Sequence, residues 1–259
     1  MGLTPLWRLR AAEAAPPDLP APAAEESAAR EETARERPAL REIPARPIVA
    51  PEPARVFTSD EPSAERIARI KALDWPALEE SIRACRACAL CQQREQAVPG
   101  VGDRGARWML VGEGPGAEED RRGEPFVGQA GKLLDNMLAA IGLARGQDVY
   151  IANAVKCRPP RNRTPEAAEI AACLSFLDRQ IALVQPCLLI ALGRPAAQAL
   201  LGREIAISAA RGKRFERDGI TTLVTYHPAY LLRNPFDKSK AWEDLCFARA
   251  LMEKETAAR

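Results

Sequence analysis

Apolar runs alternating with amphipathic stretches predict an α/β protein: a three-layer α/β/α domain around a central, mostly parallel four-stranded sheet, preceded by a disordered N-terminal arm. Three observations carry this. Four short runs, WMLVG at 108–112, VYIANA at 149–154, CLLIAL at 187–192 and ITTLVT at 220–225, are almost continuously apolar, as strands covered on both faces must be. Between them lie longer stretches of helical period. Of the 22 prolines, 11 fall within residues 1–65, among runs such as AAPPDLPAPAAEE and AREETARERP. A segment so poor in aromatic residues cannot bury enough apolar surface to offset its ordering entropy. The reading is therefore an arm at 1–65 and one folded domain at 66–259.

The first 14 residues, MGLTPLWRLRAAEA, offer two readings: a short docking helix carrying Leu3, Leu6, Trp7 and Leu9, or a frayed terminus, which is the plainer one. Asp74-Trp75-Pro76 starts a helix, with Asp74 as N-cap and proline in its first turn. Continued through LEESIRACRAC, that helix carries Cys85 and Cys88 on one face, a turn apart. Residues 131–143 (GKLLDNMLAAIGL) form a helix ending near a glycine. Thr164 caps a helix to Val184, with Pro165 at its first position. Helices follow at Ala196–Leu201 and Phe236–Lys254. The three richest motifs, GEGPG, NAVKCRPP and HPAYLLR, each follow a strand directly. In an open parallel sheet they converge at one edge, where ligands bind.

Charge is mild. Residues 1–70 hold 10 Lys/Arg against 12 Asp/Glu, and residues 71–259 hold 27 against 23, a balance that alone does not identify a nucleic-acid binder. Two local clusters stand out, Lys156/Arg158/Arg161/Arg163 and Arg211/Lys213/Arg214; each reads equally as a solvated basic face. No apolar run is interrupted little enough to be a secretory signal, and none reaches the roughly 18 residues of a membrane span. Seven cysteines without a secretion signal point to ligands or core residues in a reducing cytoplasm.

Cys85 and Cys88 form a CxxC pair, and Cys157 and Cys173 stand 16 residues apart; this spacing permits zinc or an iron–sulfur cluster. Cys91 lies beside the pair, while Cys187 and Cys246 read as core residues. GEGPGAEED at 112–120 places three glycines in five residues at a strand end, allowing close backbone approach to a ligand. It lacks both the dinucleotide register and the Lys-Ser/Thr of a phosphate loop. Asn153 ends a strand, where an amide can cap a turn or present a donor and an acceptor to a ligand. His227, the single histidine, opens HPAYLLR.

Taken in order, CRACAL, GEGPGAEED, RGEPFVGQAG, NAVKCRPP and HPAYLLRNP resemble the family 4 uracil-DNA glycosylases, the iron–sulfur branch of that superfamily, over roughly residues 74–255. The resemblance implies the same α/β/α architecture and a 4Fe–4S cluster held by Cys85, Cys88, Cys157 and Cys173, with Cys91 a spare. It implies that Phe126 stacks on uracil, that Asn153 pairs with its O4 and N3–H, and that His227 donates to the anion developing on O2. Glu119 would lie near the C5 edge, with Asp120 alternatively an N-cap. Some relatives carry an aspartate base third in the first motif, where this chain has Gly114; Glu113 beside it is the candidate for orienting water. Leu231 would fill the gap left by the flipped base, Arg233 would hold a phosphate, and Lys213 would contact DNA.

The expected activity is monofunctional hydrolysis of the N-glycosidic bond of uracil in single- and double-stranded DNA. The matched motifs offer no lysine nucleophile for lyase chemistry. The alternative is a non-catalytic or covalent uracil-DNA binding protein; covalent capture uses a nucleophilic histidine in an extra basic loop, and the one histidine here is already assigned. The chain is expected to be monomeric, cytoplasmic and nucleoid-associated, with the arm available to a repair or replication protein.

Overall fold

The computed structural model describes residues 63–257. The arm and its candidate docking helix lie outside the described residues, except that the first helix, α1 (Ala64–Lys71), starts two residues before the expected boundary, with Ser63 as its N-cap. Helix α2 (Trp75–Ala84) begins as expected, the Asp74 side chain accepting from the Ala77 amide. It stops sooner than expected. Cys85 and Cys88 both have extended backbone, so the CxxC pair lies on a loop past the helix and not on a helical face.

The sheet has six strands and is mixed, which corrects the expected four. Strands β1 (Val101–Gly102), β2 (Trp108–Gly112), β3 (Val149–Asn153), β4 (Leu188–Leu192), β5 (Phe215–Arg217) and β6 (Ile220–Thr225) lie in the order β1-β3-β2-β4-β6-β5. The inner four are the predicted parallel set, and the two short outer strands pair antiparallel. β5 and β6 are joined by Asp218-Gly219, both at positive φ, a two-residue hairpin turn. The outer strands are too short to show a period.

Alternation along the inner strands divides the core in two. Met109, Val111, Ala152, Leu189 and Val224 face α5 (Ala167–Val184) and α6 (Arg194–Leu201). Leu110, Ile151, Ile190 and Leu223 face α4 (Gln129–Ala140) and α9 (Lys238–Ala257). The α/β/α layering is therefore as predicted. A third small cluster joins α1 and α2 to Phe176 of α5. Helix α5 starts after Glu166, whose backbone amide donates to Glu169, and not at Thr164.

The chain leaves β2 for β3 on one side and returns to β4 on the other. This topological switch point opens a crevice beyond the carboxyl ends of the strands. Around it lie α3 (Ala117–Arg122), α7 (Ile207–Ala210) and α8 (Pro228–Arg233); within HPAYLLR, His227 caps the short helix α8. Among the described residues, no helix is long and apolar enough to cross a membrane.

Candidate active site

A cleft of about 800 Å³ occupies the switch point, and Glu113, Gly114, Glu119, Phe126, Asn153, His227 and Arg233 all line it. These are residues the sequence singled out, brought together from the segments that end or follow β2, β3 and β6.

Gly112 ends β2 between two of them. A Cβ there would stand 2.4 Å from Asn153 Oδ1 and 2.6 Å from the Phe126 ring, so only glycine lets both side chains close over the strand. Asn153 ends β3, is 2 % exposed, and its Oδ1 is the one buried side-chain N or O among the described residues without a hydrogen-bond partner. An unpaired buried acceptor costs about 1–3 kcal/mol, a cost that a ligand N–H removes. Beneath it Lys156 is fully buried, its Nζ donating to Asn153 O at 2.7 Å and Gln180 Oε1 at 2.6 Å. Burial lowers its pKa to about 8. Lys156 is therefore a bolt under the recognition strand and not part of a basic surface.

Phe126 is 6 % exposed and has φ +56°, a strained conformation for an aromatic residue. Its surroundings impose it. Arg145 donates to the carbonyls of Pro125 and Phe126, both at 2.8 Å, and pairs with Asp135. Glu119 accepts from the amides of Gly116, Val127 and Gly128, each at 3.0 Å. The Glu119 carboxylate is thus committed to backbone donors: it positions Phe126 and has little capacity left for a ligand edge. Asp120 lies inside α3, accepting from the Glu95 and Gln96 amides, and is not a cap.

His227 faces Phe126, ring centroids 5.4 Å apart. Its Nδ1 accepts from the Ala229 amide at 3.1 Å, so in the neutral ring Nε2 carries the proton. Burial, and then Arg233, lower its pKa to about 4, so it is a neutral donor at pH 7. Gly193, at φ +91°, passes close by; a Cβ there would lie 3.1 Å from His227 Cβ. Glu113 has its pKa raised by burial, opposed by a hydrogen bond from Thr164 and by the charges of Arg194 and Arg233. Gly114 has no space for the aspartate of some relatives, since a Cβ would meet Val155 at 2.7 Å.

One further expectation is corrected. Leu231 is 1 % exposed and packed beside α4 and α9, so it is not free to enter DNA; its neighbour Leu232 is 45 % exposed. Lys213 is exposed but outside the cleft lining. Arg163 is paired with Glu169 at 2.6 Å and Arg211 with Asp244 at 2.9 Å, while Arg161, Lys213 and Arg214 are exposed. Arg194, Tyr226 and Tyr230 line the cleft and were missed. The glycine before Arg194, directly after a strand, was the available signal. Among the described residues, no lysine lines the cleft.

Of the seven cysteines, Cys88, Cys157 and Cys173 are buried, while Cys85, Cys91, Cys187 and Cys246 are partly exposed. Cys187 and Cys246 thus sit at the core margin rather than inside it. Burial pushes Cys88 and Cys173 up to about 12 and Cys157 to about 11, and charge repulsion among these three and Cys85 adds to it. Cations gather around the four: Arg94 donates to Cys157 Sγ at 2.8 Å and Arg66 to Cys85 Sγ at 3.8 Å. Buried neutral thiols do not need guanidinium partners, whereas thiolates do. Among the described residues, no three Cys, His, Asp or Glu side chains converge on a site for a single ion.

A mixed sheet whose parallel inner strands open a cleft at their switch point, lined by an amide, an aromatic ring and a neutral imidazole, defines an α/β enzyme with a preformed polar and aromatic pocket. The profile of the uracil DNA glycosylase superfamily matches residues 99–246, and the chain belongs to that superfamily. Within it, the chain is similar to type-4 uracil-DNA glycosylases. That of Thermotoga maritima is 42% identical over 182 residues, 69% of this chain and 94% of the relative. That of Pyrobaculum aerophilum is 44% identical over 181 residues, 67% and 92% respectively. That of Sulfurisphaera tokodaii is 45% identical over 167 residues, 61% and 76%.

Proposed function

We propose that the chain excises uracil from DNA by hydrolysis, the first step of base excision repair, and that it is monofunctional. The observation that carries this is the buried, unpaired Oδ1 of Asn153 beside the Phe126 ring. Uracil's N3–H satisfies that acceptor while its O4 accepts from Nδ2. Cytosine, with a bare N3 and an amino group, is mismatched at both edges. Phe126 stacks on the base. As N1–C1′ breaks, the bonding electrons pass to the pyrimidine and charge collects on O2, where the neutral Nε2–H of His227 stabilises it. Water adds to C1′ of the cationic sugar and gives its proton to Glu113, whose raised pKa makes it a better acceptor than an exposed carboxylate. Leu232, exposed on α8, is the better candidate to fill the vacated stack, with Arg233 and Arg194 on phosphates. The absence of lysine from the cleft lining supports hydrolysis without lyase chemistry.

Four thiols ringed by Arg94, Arg66 and Lys156 suit a 4Fe–4S cluster, which Cys85, Cys88, Cys157 and Cys173 would hold. Cys91, beside the CxxC pair, we read as a spare. The cluster would supply a cross-link between the loop after α2, the loop after β3 and α5. We read the protein as active as a monomer, working on chromosomal DNA in the cytoplasm. The composition of residues 1–62 supports a role outside the chemistry, such as docking to a repair or replication protein; deleting them is expected to leave excision within a fewfold. Incubating the protein with uracil-containing oligonucleotide distinguishes hydrolysis, which yields free uracil, from covalent capture, which yields a stable adduct.

A further inference from the structure

We infer that Tyr226 and Tyr230 form a second base subsite, which stacks the nucleobase adjacent to the flipped uracil. The inference rests on uracil excision as the activity and goes beyond the residues assigned to it. The two rings lie 5.0 Å apart at 14° and both line the cleft. They flank His227 in the chain, so the platform adjoins the uracil site. Each layer is braced. The Arg211 guanidinium lies 5.4 Å from the Tyr226 centroid and is itself held by Asp244 at 2.9 Å. The Tyr230 hydroxyl donates to Asp237 at 2.7 Å, and Lys240 pairs with Asp237 at 2.8 Å.

A tyrosine pair serving only the core would be buried, but both residues are partly exposed. A cleft of about 800 Å³ also exceeds the need of one pyrimidine, lying well inside the range for whole drug-sized ligands. Arg194 and Arg233 line the same cleft and supply charge for the phosphates on either side of a stacked nucleotide. Parallel rings, fixed in advance and flanked by cations, are what single-stranded nucleic acid binds without regard to sequence, because every base has a π-face. The ligand is therefore a neighbouring base of the same strand, purine or pyrimidine.

The test uses single-stranded oligonucleotides with one uracil, flanked on the 5′ or the 3′ side by a normal nucleotide or a baseless tetrahydrofuran spacer. Single-turnover excision gives the enzyme concentration at half-maximal rate. For the intact chain, a spacer on one of the two sides is expected to raise that concentration by about fivefold to about a hundredfold, the range for one base on an aromatic ring. Tyr230→Leu should remove the difference between base and spacer, and Tyr230→Phe should retain it. The inference is overturned if neither spacer affects the intact chain, a measurement that needs no variant. It is also overturned if Tyr230→Leu keeps the full spacer penalty. Failure of the intact chain to release uracil from any substrate would instead overturn the activity.

Discussion

Replacing Gly112 by alanine puts a single methyl group where the account has the least room. Gly112 has no positive φ, so its backbone accepts alanine and the effect falls on side chains. The new methyl would stand 2.4 Å from Asn153 Oδ1 and 2.6 Å from Phe126 Cε2 and Cζ, where ordinary contact begins at 3.4 Å. Asn153 cannot retreat easily, because Lys156 holds its carbonyl. Phe126 is held by Arg145 through its own carbonyl and by Glu119 through the next two amides. Both groups must give by roughly 1 Å, and a misplacement of about that size costs about 10²-fold in rate. The strain of an added methyl is about 1–3 kcal/mol, a fall in melting temperature of roughly 2–12 °C for a domain of this size. Single-turnover excision of uracil from single-stranded DNA, with a melting curve of the same preparation, reads both. Gly105→Ala is the control, since its nearest neighbour would be a comfortable 3.7 Å away. If Gly112→Ala excised uracil within threefold of the parent, the geometry of the recognition site would be wrong.

Further outcomes are expected. His227→Asn keeps an N-cap on α8 but should lower the chemical step by about 10²–10³, with DNA affinity nearly unchanged. Because His227 is neutral above about pH 4, its contribution should stay flat from roughly pH 5 to 8; a donor that had to be protonated would lose activity as pH rose through about 6.5. Its lowered pKa also means that the unfolded chain binds the extra proton, so stability should fall as pH drops from about 6.5 to about 4, by up to roughly 3 kcal/mol. His227→Asn should abolish that loss in denaturant titrations. Lys156→Met should cost roughly 3–5 kcal/mol, measured the same way, by leaving Asn153 O and Gln180 Oε1 without their donor. Leu232→Ala should reduce excision from duplex more than from single strands and leave stability unchanged, whereas Leu231→Ala should cost about 2–5 kcal/mol of stability.

The inner sheet was legible because strands covered on both faces are written as unbroken apolar runs; WMLVG matched β2 residue for residue. The outer strands were not, since two or three residues carry no period, although Asp218-Gly219 was a hairpin signal that could have found β5. The convergence of Glu113, Asn153 and His227 followed from their positions at strand ends; that of Phe126, fourteen residues past β2, came from the family resemblance. Side-chain direction came from neither. Nothing in LLR says that Leu231 faces α4 and α9 while Leu232 faces out, because that depends on the rotation of a six-residue helix. Lys156 looked like surface charge beside Arg158, and only the packing of α5 against β3 reveals it as a buried donor. The extent of α2 was overestimated because ACRAC has helical propensity, which the extended backbone at Cys85 and Cys88 overrides.

The central claim is tested most directly by what leaves the DNA. The purified 259-residue chain, in excess over a single-stranded oligonucleotide with one uracil, is predicted to release one free uracil per strand and leave an intact abasic site. The same strand with cytosine or thymine should stay whole. A covalent protein–DNA adduct, or binding with no free uracil, would contradict the account.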